Sequence, residues 1–230
     1  MLNMSHEKRK LPRFHITPCQ FHDAEKNKNF SVQDISQGGL ALRLFDRGDL
    51  EHFPVSSEHR GMVKVEGRKI ECRFHVRFIR GTLIGAEWVQ PSAELLAHLE
   101  EISHPERLGV NLRKFDLPEF ASTDWFHNPV GVDLLIYSAP ENRSVSRWTL
   151  YIHHNFVQWE NDGGIQTGQA LAEDEEGYAH GIVRLETRLI EYDAHPDQTL
   201  LNVAKELVGH APIHNQEVKQ LVLSHINGVA

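Results

Sequence analysis

The sequence predicts an all-β N-terminal antiparallel β-barrel with a closing helix over residues 1–110, followed by an α+β domain over residues 111–230. Three observations carry that expectation. Hydrophobicity alternates with a period of two between residues 15 and 89, the period lengthens to a helical one just after, and the charge balance breaks near residue 118. Residues 1–118 hold 18 Lys and Arg against 16 Asp and Glu, whereas residues 119–230 hold 6 against 16. Two units with surfaces of different sign follow. The full 230 residues, 40% hydrophobic and 24% charged, have the composition of an ordinary globular protein and enough length for two cores.

The elements of the first unit read in order. In "LALRL", Leu40, Leu42 and Leu44 face one way, and in "KIECRFHVRFI" Ile70, Cys72, Phe74, Val76 and Phe78 do the same while Glu71, Arg73, His75 and Arg77 face the other. These are half-buried strands. Turn signals divide them at "NKN" (27–29), "SQGG" (36–39), "EGR" (66–68) and "RGT" (80–82). Short strands so spaced predict a small antiparallel barrel. "PSAELLAHLEEI" then places Leu95, Leu99 and Ile102 on one helical face with Pro91 at the first helical position, which predicts a single helix closing the barrel. Cys19 and Cys72 lie in strand-like apolar contexts without metal or redox spacing and are expected as buried free thiols.

Two short patterns carry chemistry. "EKRKLPRF" (7–14) contains Arg9 and Arg13 in an RxxxR spacing, and "DISQGG" contains Asp34, Ser36 and Gly39 in a DxSxxG spacing. With "LIGAEWVQPSAELLAHLEE" at 83–101 as a strand and closing helix, the arrangement over about residues 6–104 resembles the PilZ domain, the bacterial receptor module for cyclic di-GMP. By that resemblance Arg9, Arg13, Asp34, Ser36 and Gly39 form the binding set. The chemistry is consistent with it. A guanidinium can fork onto guanine O6 and N7, grip a phosphate or stack on a purine. Asp34 can accept from guanine N1 and N2, Ser36 can serve a phosphate or base heteroatom, and Gly38 and Gly39 allow close backbone approach to a flat ligand. Pro12 inside RxxxR keeps the arm irregular. Lys8, just before Arg9, stands where a basic residue in such domains accompanies two intercalated ligand molecules, so two nucleotides per chain are expected. Trp88, Arg77 and Arg80 are weaker candidates for the pocket rim.

The second unit announces less. "SHPERLGVNLRKFDLPEF" (103–120) lacks periodicity and reads as the linker; "VGVDLLIYS" and "RWTLYIHHNFVQWENDGGIQTG" read as strands with a hairpin turn at "NDGG" (161–164). Trp125, Trp148 and Trp159 are expected in a core. Two amphipathic helices follow, with Leu200, Ala204, Leu207 and Val208 on one and Val218, Leu221 and Val222 on the other, Gly209 ending the first. Sixteen histidines invite a metal reading. His153 and His154, adjacent on a strand, face opposite sides, however, and Pro212 interrupts the helical spacing of His210 and His214, so no metal ligands and no cofactor are expected. No catalytic motif is present, and none of the residues is expected to be catalytic.

The expected function is therefore a non-enzymatic bacterial second-messenger receptor that binds cyclic di-GMP and relays the signal by conformational change to its C-terminal domain or to a protein partner. Only eight residues precede Arg9, which directs the relay forward or outward. An enzyme with an unrecognised C-terminal active site regulated by the barrel is the alternative. The acidic second half argues against a nucleic acid polymer as partner, because phosphate binding needs a broad cationic face. With no apolar run of about 20 residues and no secretory signal, neither a membrane span nor export is expected, and the location is expected to be cytoplasmic.

Overall fold

The structure is a computed structural model that describes residues 19–115, 122–139, 144–171 and 189–228. The chain divides into two compact units, Met1–Ile102 and Ser103–Ala230. In the first, β1 (Cys19–Asp23), β2 (Lys28–Ser36), β3 (Gly39–Arg43), β4 (Glu58–Val65), β5 (Arg68–Arg80) and β6 (Leu83–Trp88) close an antiparallel barrel in the order β1-β2-β3-β6-β5-β4. Closure comes from β1 pairing with β4 between Cys19↔Val65 and Asp23↔Gly61. No barrel edge is left to pair with another chain.

Alternation fills the interior. Phe21, Ile35, Leu40, Leu42, Val63, Phe74, Val76 and Ile84 are fully buried, as the period of two requires. At about 25 cal/mol per Å2 of apolar surface removed from water, each such side chain contributes roughly 1.5–3 kcal/mol. Two bulges interrupt the alternation, between Val32 and Asp34 and between Val76 and Phe78. The second corrects the expectation for Phe78. One extra residue turns it to the outside, where it is 38% exposed and its ring lies over Gly85. Cys19 and Cys72 are buried free thiols, and burial pushes both thiol pKa values up to about 12.

The closing helix α1 (Ala93–Ser103) buries Leu95, Leu99 and Ile102, and His98 Nε2 donates to the Val65 carbonyl at 3.3 Å. Pro91 lies outside it. Ser92 caps the helix, its Oγ accepting the Leu95 N–H at 3.1 Å, because a hydroxyl can satisfy a first-turn amide and a proline ring cannot.

Among its described residues the second unit has a seven-stranded antiparallel sheet in the order β13-β12-β11-β10-β9-β8-β7 with three helices. Its strands are β7 (Arg113–Phe115), β8 (Thr123–Asn128), β9 (Val132–Ser138), β10 (Val145–Ile152), β11 (Asn155–Glu160), β12 (Gly164–Leu171) and β13 (Leu189–Tyr192). The stretch expected as linker contains helix α2 (Pro105–Val110), which packs on α3 (Gln198–His210) so closely that a Cβ on Gly109 would lie 2.2 Å from the Leu207 carbonyl oxygen. That contact puts residues 103–110 in the second unit, ahead of the expected boundary at 110/111. His153 and His154 are not strand residues. They form the two-residue connection between β10 and β11, with Ile152 opposite Asn155 and His153 at φ 58°.

One sheet face carries Leu134, Ile136, Trp148, Leu150 and Val157, and the helices α3 and α4 (Gln216–Asn227) pack on that unit with Leu201, Ala204, Leu207, Val208, Val222 and Ile226 buried. Leu201 takes the place expected of Leu200, α3 runs one residue past Gly209, and Leu221 is 38% exposed. Trp148 is fully buried, whereas Trp125 and Trp159 are half-buried.

Candidate functional site

The bulge in β2 builds the site. Phe30 and Val32 point into the barrel, Gln33 drops out of register, and Ile35 points in again, so Asp34 and Ser36 share the outer face. Across the ladder, Asp34 pairs with Ala41 and Ser36 with Gly39. Because Leu40, Leu42 and Leu44 face inward, Gly39, Ala41 and Arg43 complete the same outer face. Period-two pairing thus brings Asp34, Ser36 and Gly39 together. Gly38 lies in the two-residue turn between them. Lys8, Arg9 and Arg13 lie outside the described residues.

Hydrogen bonds fix this hairpin end. Ser36 Oγ accepts from Gly38 N at 3.2 Å and donates to the Gly39 carbonyl at 3.3 Å. Trp88 braces the turn from beneath: its Nε1 donates to the Ser36 carbonyl at 2.8 Å and its backbone N–H to the Gly38 carbonyl at 3.1 Å. It is 7% exposed and belongs to the barrel core, with its ring edge toward Phe74. Gly39 has its own packing reason, since a Cβ there would lie 2.0 Å from the Ala86 carbonyl oxygen. Asp34 is 9% exposed and is not without a partner. Arg77 is exposed and paired with Glu87.

Arg43 is the residue the motif reading missed. Its Nε donates to Gln33 Oε1 at 2.6 Å, while its Nη2 is buried with no hydrogen-bond partner. A buried guanidinium N–H without an acceptor costs the full desolvation of that group, about 1–3 kcal/mol. An arriving anion or carbonyl oxygen would remove the penalty. The signal that could have found it is the alternation in "GLALR", which puts Arg43 on the face of Asp34 and Ser36.

A second cluster lies on the same barrel. Asp23 Oδ1 accepts the N–H groups of Glu25 and Lys26 at 2.8 and 2.9 Å, and its Oδ2 faces His52 Nε2 at 3.0 Å and His59 Nδ1 at 3.4 Å. Burial pushes the Asp23 carboxyl up, but the hydrogen bonds from Lys26, His52 and Glu25 outweigh it and hold the group below its ordinary 3.8. Burial holds the His59 imidazole below its ordinary 6.5, although the Asp23 carboxylate facing its Nδ1 works the other way. Phe30, Phe53 and Phe74 pack their rings around the two imidazoles.

The closed six-stranded barrel thus carries a polar outer hairpin face on which one guanidinium nitrogen is buried without an acceptor. Residues 7–104 match the family model of the PilZ domain, and the remainder of the chain is unassigned. PilZ domains make up a family of cyclic di-GMP receptors, binding and regulatory rather than catalytic. No curated protein matches the chain. Among the described residues no helix is long and apolar enough to cross a membrane.

Proposed function

We propose that this protein is a bacterial cyclic di-GMP receptor whose ligand binds on the outer face of the β2–β3 hairpin, clasped by the Lys8–Arg13 arm. The observation that carries the reading is Arg43, whose buried, unpartnered Nη2 stands on the same face as Asp34 and Ser36 in a barrel of this family. In this arrangement Arg9 and Arg13 grip phosphate or guanine, Asp34 accepts from the guanine N1 and N2 edge, and Arg43 supplies a further charged donor. Gly38 and Gly39 leave two successive positions at the hairpin end without side chains. Lys8 beside Arg9 accommodates a second, intercalated nucleotide. Ordering of the arm then biases the C-terminal unit or a partner protein.

Calorimetric titration of the full chain with cyclic di-GMP, with GMP as control, tests the reading. The native chain is expected to bind with a stoichiometry near two, and Arg9→Ala, Asp34→Ala and Arg43→Leu are each expected to lose about 2 kcal/mol, or roughly 30-fold in affinity. A folded native chain that ignores the dinucleotide overturns the proposal. A stoichiometry near one removes the second ligand only.

A further inference from the structure

We infer that the barrel carries a binding site for a divalent first-row transition metal ion, built from Asp23 Oδ2, His52 Nε2 and His59 Nδ1. The three donor atoms lie within 4.8 Å of one another, with separations from the carboxylate oxygen of 3.0 and 3.4 Å. Donors around a tetrahedral zinc at bond lengths of about 2.0–2.1 Å stand roughly 3.3 Å apart, so two edges of the triangle already have the coordination spacing. Two imidazoles and one carboxylate, all neutral or anionic when they ligate, suit zinc, cobalt or ferrous iron better than magnesium or calcium, which take oxygen.

Counting hydrogens makes the case specific. Ser57 Oγ lies 2.6 Å from the Pro54 carbonyl, and since a carbonyl cannot donate, the hydroxyl proton is committed there. The 2.9 Å contact between Ser57 Oγ and His59 Nε2 must then be donated by the imidazole. His59 therefore keeps its proton on Nε2 and turns Nδ1 toward the Asp23 carboxylate. At 3.4 Å that approach is longer than the roughly 2.7–2.9 Å of a charge-assisted N–H to carboxylate bond. An unprotonated Nδ1 has a lone pair aimed at an anionic oxygen, in a site where His59 is 7% and Asp23 1% exposed. A cation between the two converts that repulsion into two bonds.

The surroundings are those of a held metal ligand set. Ser57 fixes the tautomer and tilt of His59 through the nitrogen that does not ligate, and the Glu25 and Lys26 amides fix the Asp23 carboxylate through its other oxygen. Phe30, Phe53 and Phe74 supply an apolar wall. His52, at 14% exposure the most open of the three, would close the triangle by taking the cation on an unprotonated Nε2, its ring proton then residing on Nδ1. The bound ion would join the end of β1, the 3-10 helix Arg47–His52 and β4. Three protein ligands leave at least one position for water.

The full chain, stripped with chelator and dialysed, is titrated with cobalt(II) by visible absorption and with zinc(II) by calorimetry. One high-affinity ion per chain is expected, with cobalt bands of a low-coordinate nitrogen and oxygen site, and a thermal midpoint raised by zinc. His52→Ala removes the most exposed ligand, and Asp23→Asn keeps an oxygen for the two turn amides, so both variants are expected to fold and each to lose that ion and the thermal shift. A native chain without the cobalt bands overturns the site. So does undiminished stoichiometry in both variants, which would place the ion on surface histidines.

Discussion

Gly39 shows how one residue can belong to a binding pattern and to the fold at once. Its Cβ position is filled by the Ala86 carbonyl oxygen 2.0 Å away, so β3 and β6 could not approach as they do with any side chain there. Gly39→Ala is expected to cost about 3 kcal/mol or more, the upper end for overpacking, because the obstacle is backbone and cannot rotate away. Urea unfolding of the barrel checks this, and an unchanged midpoint would show that the strands can separate at no cost. Loss of ligand binding in that variant would therefore report on the fold, whereas Asp34→Ala and Arg43→Leu report on the site. At this scale spacing makes legible the adjacency of Asp34, Ser36 and Gly39 across the β2–β3 pairing, whereas Asp23, His52 and His59 come from a strand end, a 3-10 helix and another strand, and no local period joins them.

Elements were legible where period and burial agree. Leu40, Leu42 and Leu44 sit in the core as alternation requires, and the helical period of 95–102 gave α1. Errors cluster where a single residue shifts the phase: the bulge before Phe78, and the His153–His154 turn hidden within an apolar run. The docking of α4 adds a chemical detail that no period contains. Trp148 Nε1, which can only donate, bonds to His225 Nδ1 at 3.2 Å, and the imidazole stacks on Trp159 with centroids 3.6 Å apart. His225 must be neutral at Nδ1 for this, and burial holds its pKa below the ordinary 6.5. An unfolded chain takes up that proton first as the pH falls, so the contribution to stability is full above pH 6.5 and is lost as the pH drops through the lower folded value. The tryptophan-reported unfolding midpoint of the second unit should fall on acidification below that point. His225→Gln, which can still accept from Trp148, should show a shallower dependence; an equal slope in both proteins would remove His225 from the account.

The whole molecule joins a barrel whose family is evident to a unit that no family model claims. Each is a compact unit with buried residues of its own, and the proposed relay requires the second unit to have two states that a ligand-bound barrel would distinguish. The differential affinity sets its limit: a coupling of 1–3 kcal/mol, about 5- to 150-fold, is the usual scale. The two units differ in charge, Met1–Ile102 holding 15 Lys and Arg against 14 Asp and Glu and Ser103–Ala230 holding 9 against 18, so an electrostatic contribution to the proposed relay is expected. Hydrogen exchange on the full chain distinguishes the routes. Saturating cyclic di-GMP is expected to slow exchange in β2 and β3 and to alter it in Ser103–Ala230, the second change shrinking at high salt because the coupling is partly electrostatic. Protection confined to the barrel would rule out the intramolecular relay and leave the ligand-bound hairpin face itself as the surface read by a partner protein.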